Sequence, residues 1–177
     1  MTTRVLERTQ DLPRPLDEVF AFHERPENLQ ELTPAFLDFR ILTPSPVPMH
    51  VGSLIDYRIR LFGVPMRWTT RIAAYEPGAS FVDEQLRGPY RLWHHTHLFT
   101  RLPGGGTRIV DRVAYDVGWG PLGDVAHALF VERTLARIFE YRHERMHALF
   151  GGCASEAASP SPAQPGREAR RCATESA

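Results

Sequence analysis

Along most of the middle of the chain, hydrophobic and polar residues alternate with a period of two. In 53–61 the odd positions Ile55, Tyr57, Ile59 and Leu61 are apolar, with Asp56, Arg58 and Arg60 between them. In 66–75 the even set Met66, Trp68, Thr70 and Ile72 turns inward and leaves Arg67 and Arg71 outside. Further strands are predicted over 36–42, 80–87, 91–102 and 107–117, and an earlier one over about 4–12. The joints FGVP, EPGA, GPY and PGGG are short, which predicts an antiparallel meander. Two regions break this period. PRPLDEVFAFHERPENLQEL reads as two short helices: Pro15 and Asp17 suit a helix start, Val19, Phe20 and Phe22 supply an apolar side, and Pro26 forces a break. From about Leu122 to Phe150 the period is helical, with Leu135, Ile138, Phe139, Arg142, Met146 and Leu149 on one stripe. The predicted fold is α+β: one strand, two short helices, six strands, and a long helix that covers a curved antiparallel sheet of about seven strands.

Composition sets the limits of this picture. At 177 residues and 42% hydrophobic content the chain can bury one sizeable core. We expect one domain over 1–150. The last stretch, 151–177, is built of Ala, Ser, Pro, Gly and Arg with no large apolar residue after Phe150, and reads as a disordered, solvated tail. The formal charge is zero, so no general nucleic-acid binder is expected. Every basic residue is Arg, which excludes Schiff-base and P-loop lysine chemistry. Both cysteines, Cys153 and Cys172, lie in the tail, so the folded part has no thiol nucleophile, disulfide or thiolate ligand. There is no apolar run of membrane-spanning length and no signal-peptide core, and a cytoplasmic protein without integral membrane association is expected.

RLWHHTHLF, from Arg91 to Phe99, concentrates three histidines in four positions. Alternation gives the last three strands inward sets of Phe81, Asp83 and Gln85, then Trp93, His95, His97 and Phe99, then Ile109, Asp111, Val113 and Tyr115. His94 points outward. Three-residue turns at GPY and PGG would set Asp83 opposite His95 and His97 opposite Asp111. Ionisable groups on an inner face are costly unless paired, and here the partners are present. The cluster, ringed by Tyr57, Trp68, Trp93, Phe99 and Tyr115, reads as the polar patch of an apolar cavity.

FVDEQLRGPYRLWHHTHLF and GGTRIVDRVAYDV, on this order of elements, resemble the ligand-binding SRPBCC (START-like) superfamily, in particular its bacterial polyketide cyclase/dehydrase-like members. The resemblance covers about residues 4–150. It implies a helix-grip fold, with a hydrophobic cavity between the sheet and the last helix. Members bind lipids, sterols, quinones, hormones or polyketides, and some catalyse cyclisation or dehydration. No universal catalytic set exists to carry over.

Two functional classes therefore stand side by side. In one, the protein binds a small hydrophobic molecule, lipid, polyketide, isoprenoid or quinone-like, through Tyr57, Trp68, Thr70, Asp83, Gln85, Trp93, His95, His97, Phe99, Asp111, Tyr115, Phe139 and Arg142. In the other, His95 poised by Asp83 is the acid/base of a cyclase or dehydratase. A satisfied polar network without chemistry is the plain alternative to both. The segment HERMH, His143–His147, spells a zincin pattern, but Glu144 falls half a turn from the apolar stripe. His95, His97 and one carboxylate could in principle hold a metal, yet the carboxylates are placed as hydrogen-bond partners of the rings, so neither metal nor cofactor is expected. The outward Val82, Leu86, Leu92 and Leu98 leave a monomer or a weak homodimer open.

Overall fold

The computed structural model describes residues 3–61, 63–118 and 130–151. It contains strand β1 (Arg4–Leu12), helix α1 (Leu16–His23), strands β2 (Arg40–Ile41), β3 (Leu54–Leu61), β4 (Val64–Glu76), β5 (Ser80–Arg87), β6 (Leu92–Arg101) and β7 (Thr107–Asp116), and helix α2 (Glu132–Phe150). Two short 3-10 turns, Pro26–Gln30 and Ala35–Leu37, follow α1. The strands form one antiparallel sheet in the order β1-β7-β6-β5-β4-β3-β2. The expected tail and the expected beginning of the long helix near Leu122 lie outside the described residues.

The predicted faces hold. Ile55, Ile59, Trp68, Ile72, Phe81, Phe99, Ile109 and Val113 are buried, as are Leu135, Phe139, Met146 and Phe150 of α2. Leu149, expected on the helix stripe, is exposed, and Phe150 takes the buried place one residue on. Strand β4 changes phase. Its pairing to β5 slips between Thr69 and Thr70 and between Ile72 and Ala74, so the inward residue after Ile72 is Tyr75, which packs on Phe20 with ring centroids 6.2 Å apart. Such irregularities bend a strand and add twist, which helps the sheet curl round α2. At the β3–β4 hairpin, Leu61 pairs with Val64 and Ile59 with Met66.

The predicted strand 36–42 shrinks to Arg40–Ile41. Pro34 opens the 3-10 turn that ends at Asp38 in the left-handed region (φ 40°), and the prolines at 44, 46 and 48 cannot donate to a ladder. Beside β3 and the shortened strand lie the two 3-10 segments, while α1 packs on β6 and on the first of them, and together they close one side of the interior.

Candidate functional site

Three neighbouring strands bring the central side chains together: Asp83 from β5, His95 and His97 from β6, Asp111 from β7. Asp83 is opposite His95 and His97 opposite Asp111 along the backbone, as the turn lengths predict. The directed hydrogen bonds run diagonally. His95 Nε2 is 3.0 Å from Asp111 Oδ1, and His97 Nε2 is 3.0 Å from Asp83 Oδ2. The remaining ring nitrogens close the circuit, with His95 Nδ1 3.4 Å from Asp83 Oδ2 and His97 Nδ1 2.7 Å from Asp111 Oδ1. The last approach is short but lies off the N–H direction, leaving His97 Nδ1 a buried nitrogen without a directed hydrogen bond; it is an ion-pair contact. The two rings lie 3.8 Å apart, and Phe81 stacks on His97 at 4.1 Å.

Charge follows from this geometry. Burial lowers the His95 pKa, and the neighbouring His97 lowers it further. Burial also works against charge on His97, but the two carboxylates outweigh it and raise its pKa. For Asp111, burial favours the acid, yet both imidazoles hold the carboxyl well below the usual range, and Asp83 is lowered by the same balance. Within the quartet the balance thus favours charge on His97 and on the two carboxylates and disfavours it on His95. Asp83, His95 and His97 each have a donor atom within 4.8 Å of the others, a set that suits a divalent cation. Here the bond between His97 Nε2 and Asp83 fills the direction such an ion would use.

Beside the quartet lies a cavity of about 170 Å³ between sheet, α1, the 3-10 segments and α2. Of the expected residues, Tyr57, Trp68, Thr70, Asp83, Trp93, His95, His97, Phe139 and Arg142 line it. Asp111 faces a smaller pocket of about 20 Å³ between β1 and α2, which shares His23, Phe139 and Arg142 with the first. Tyr57, Trp68, Tyr90 and Trp93 form an aromatic box: Trp68 is 5.7 Å from Tyr57, 5.7 Å from Tyr90 and 5.3 Å from Trp93. Thr70 Oγ1 accepts from Trp68 Nε1 at 3.0 Å and meets the Tyr57 hydroxyl at 3.3 Å.

Three expected lining residues stand elsewhere. Phe99 is in the core under Phe20, and Tyr115 packs with Leu135 and Phe139. Gln85 is inward as predicted, but its amide braces the next turn: Nε2 donates to Tyr90 O at 2.5 Å and Oε1 accepts from Tyr90 N at 3.2 Å. A Cβ at Gly88 would overlap that amide. The brace presents Tyr90, which sequence reasoning left in the turn, to the aromatic box. His23 was missed too, because its helix lies some 70 residues before the strand it meets. Its Nδ1–H donates to Val19 O at 3.0 Å, and burial holds its pKa down to about 4. On α2, His143, Glu144 and His147 of the zincin spelling are all exposed.

A long helix gripped by a seven-stranded antiparallel sheet, with an aromatic cavity between them, defines a helix-grip protein of the SRPBCC class. Residues 12–138 match the family described as polyketide cyclase / dehydrase and lipid transport, and the chain belongs to that family. Among solved structures it is similar to Zhui aromatase/cyclase from a Streptomyces species (15% identity, 86% of this chain and 100% of that one, TM-score 0.60). It is similar also to TTHA0849 from Thermus thermophilus (14%, 82% and 99%, TM-score 0.59). A point mutant of Thalictrum norcoclaurine synthase shares the fold as well (14%, 81% and 93%, TM-score 0.58). No curated protein matches the sequence. No helix among the described residues is long and apolar enough to cross a membrane.

Proposed function

We propose that this protein binds a small hydrophobic molecule, of lipid, polyketide, isoprenoid or quinone-like type, in the cavity between sheet and α2, and that it does so in the cytoplasm. The observation that carries this reading is the aromatic box at one side of a cavity of about 170 Å³ whose polar groups are few and mostly bonded to one another. Apolar walls with a small number of placed polar groups are the general character of such sites. Native mass spectrometry of the freshly purified protein tests it. A bound apolar mass should appear, and Leu135→Trp, which fills the space beside Tyr90 and Trp93, should abolish it. Ligand retained at full occupancy in that variant would overturn the reading.

A second reading rests on His95, which lines the cavity as a neutral imidazole while Asp111 and Asp83 hold its ring from behind. In a dehydration, His95 Nδ1, turned away from its 3.4 Å approach to Asp83 while Nε2–H stays on Asp111, would take the proton from the carbon next to a carbonyl and return it to the departing hydroxyl, which leaves as water. His95→Gln keeps volume and hydrogen bonding. Under catalysis it should preserve affinity and abolish turnover; under carriage alone it should change affinity only.

A further inference from the structure

Most polar side chains of the cavity wall are already engaged. The quartet is closed on itself, Tyr57, Trp68 and Thr70 share one hydroxyl cluster, and Asn28 and Thr33 bond to nearby carbonyls. Two buried nitrogens of the wall lack a directed hydrogen bond: His97 Nδ1, which has Asp111 Oδ1 2.7 Å away, and Arg142 Nε, which has no such neighbour. No carboxylate pairs with Arg142 among the described residues. Its guanidinium rests against the Phe139 ring, Cζ 5.2 Å from the centroid, and the centroid of that ring is 5.7 Å from that of His95. A guanidinium keeps its charge and offers five donors in a flat fork. Leaving the Nε–H without an acceptor in a buried place is unfavourable.

The other cations do not compete. His97 is covered at both ring nitrogens by carboxylates, and Arg25 is exposed at the cavity's rim. An anion approaching the histidines meets Asp83 or Asp111 first. Of the two arginines on the described wall, Arg25 is exposed, whereas Arg142 is part-buried on α2 against Phe139, without an ion pair among the described residues although its charge helps to lower the Asp83 pKa.

We propose, resting on the cavity reading above, that Arg142 anchors an acidic head group, and that the ligand is an amphiphilic acid whose carboxylate or equivalent oxyanion meets this fork. The helix sets the ligand's length. Leu135 belongs to the buried cluster against which Tyr90 and Trp93 of the aromatic box pack, and Arg142 comes two helical turns later, about 10 Å along the axis at 1.5 Å per residue. The ligand therefore carries a flat or extended apolar body at one end and its acid about 10 Å away. An oxyanion takes the fork in two parallel hydrogen bonds, which fixes orientation as well as affinity.

Two dyes with one aromatic body test this: anilinonaphthalene sulfonate and its uncharged counterpart N-phenylnaphthylamine. Both should bind the wild-type protein and displace each other. Arg142→Met should weaken the sulfonate by about tenfold or more while leaving the uncharged dye within about twofold, and Arg142→Lys should recover part of the loss. On the wild type alone, decanoic acid should displace the sulfonate at about tenfold lower concentration than methyl decanoate does. If the uncharged dye binds and the sulfonate does not, or if acid and ester displace it equally, the anchoring role of Arg142 falls and the cavity reading stands. If neither dye binds, both fall.

Discussion

His94, His95 and His97 share a strand and a residue type but not an environment. The His94 side chain is 42% exposed and reaches Glu84, whereas His95 and His97 are 4% and 7% exposed inside the quartet. His94→Ala should change stability by no more than about 0.5 kcal/mol. His95→Ala and His97→Ala should each cost about 1–3 kcal/mol or more, because each strips a partner from the buried Asp111 and the part-buried Asp83; chemical denaturation measures all three. A sensitive His94 beside tolerant neighbours would place every inward residue on the wrong face. Acid should act first through His23. Its folded pKa of about 4 lies below the ordinary 6.5, so it folds as the neutral base. That contribution is complete above pH 6.5 and is lost as pH falls toward 4, with a slope of at most about 1.4 kcal/mol per pH unit. His95, also lowered, acts with the same sign. His97, raised, contributes fully below 6.5 and loses its share only as pH rises through its folded value, while Asp83 and Asp111 lose theirs below their ordinary 3.8. Between pH 7 and 5 the wild type should lose on the order of 1–2 kcal/mol, and His23→Phe should lose distinctly less. Equal slopes would mean that His23 is not held neutral. Strand periodicity made the inward position of these histidines legible. It could not show which carboxylate each ring bonds, because ring directions cross between residues that the backbone sets side by side.

Among elements, the turn between β5 and β6 shows what alternation misses. The period of two put Gln85 inward correctly, but pairing ends at Glu84 and His94, and beyond that point the side chain serves the backbone of the turn. Gln85→Leu should cost about 1–3 kcal/mol by leaving both Tyr90 backbone groups without that partner. It should also weaken any ligand that touches Tyr90, measured by titration against the wild type; unchanged stability would remove the brace from the account. The 3-10 turn before β2 was not legible either, since Phe36, Phe39 and Ile41 read as a strand until the left-handed Asp38 interrupts them. On α2 the apolar stripe was enough to turn the zincin letters outward. A strong chelator should therefore leave the melting temperature unchanged, since structural zinc contributes many kcal/mol. Stoichiometric metal in elemental analysis would contradict this, whether it came from α2 or from Asp83, His95 and His97.

For the molecule as a whole, the wall of the cavity was only half legible. The strand residues and Phe139 with Arg142 announced themselves by period, while His23, Leu29 and Met49 reach the same space from a helix end and connecting segments whose mutual placement no local pattern encodes. The C-terminal stretch belongs to this scale too. Removing residues 152–177 should leave melting temperature and ligand affinity almost unchanged, because the segment has no large apolar side chain to bury; a fall of many degrees would show that it packs on the domain. One pairing has a further consequence, in time rather than in energy. Strand β1 is bonded along its whole length to β7, Arg4 to Tyr115 through Leu12 to Thr107, so the earliest of these seven strands has its sheet neighbour, among the described residues, in the latest of them. At roughly 5–20 residues per second, the nascent chain carries β1 without that partner for about 5–20 seconds. During translation the grip is open, and its closing waits on the ribosome.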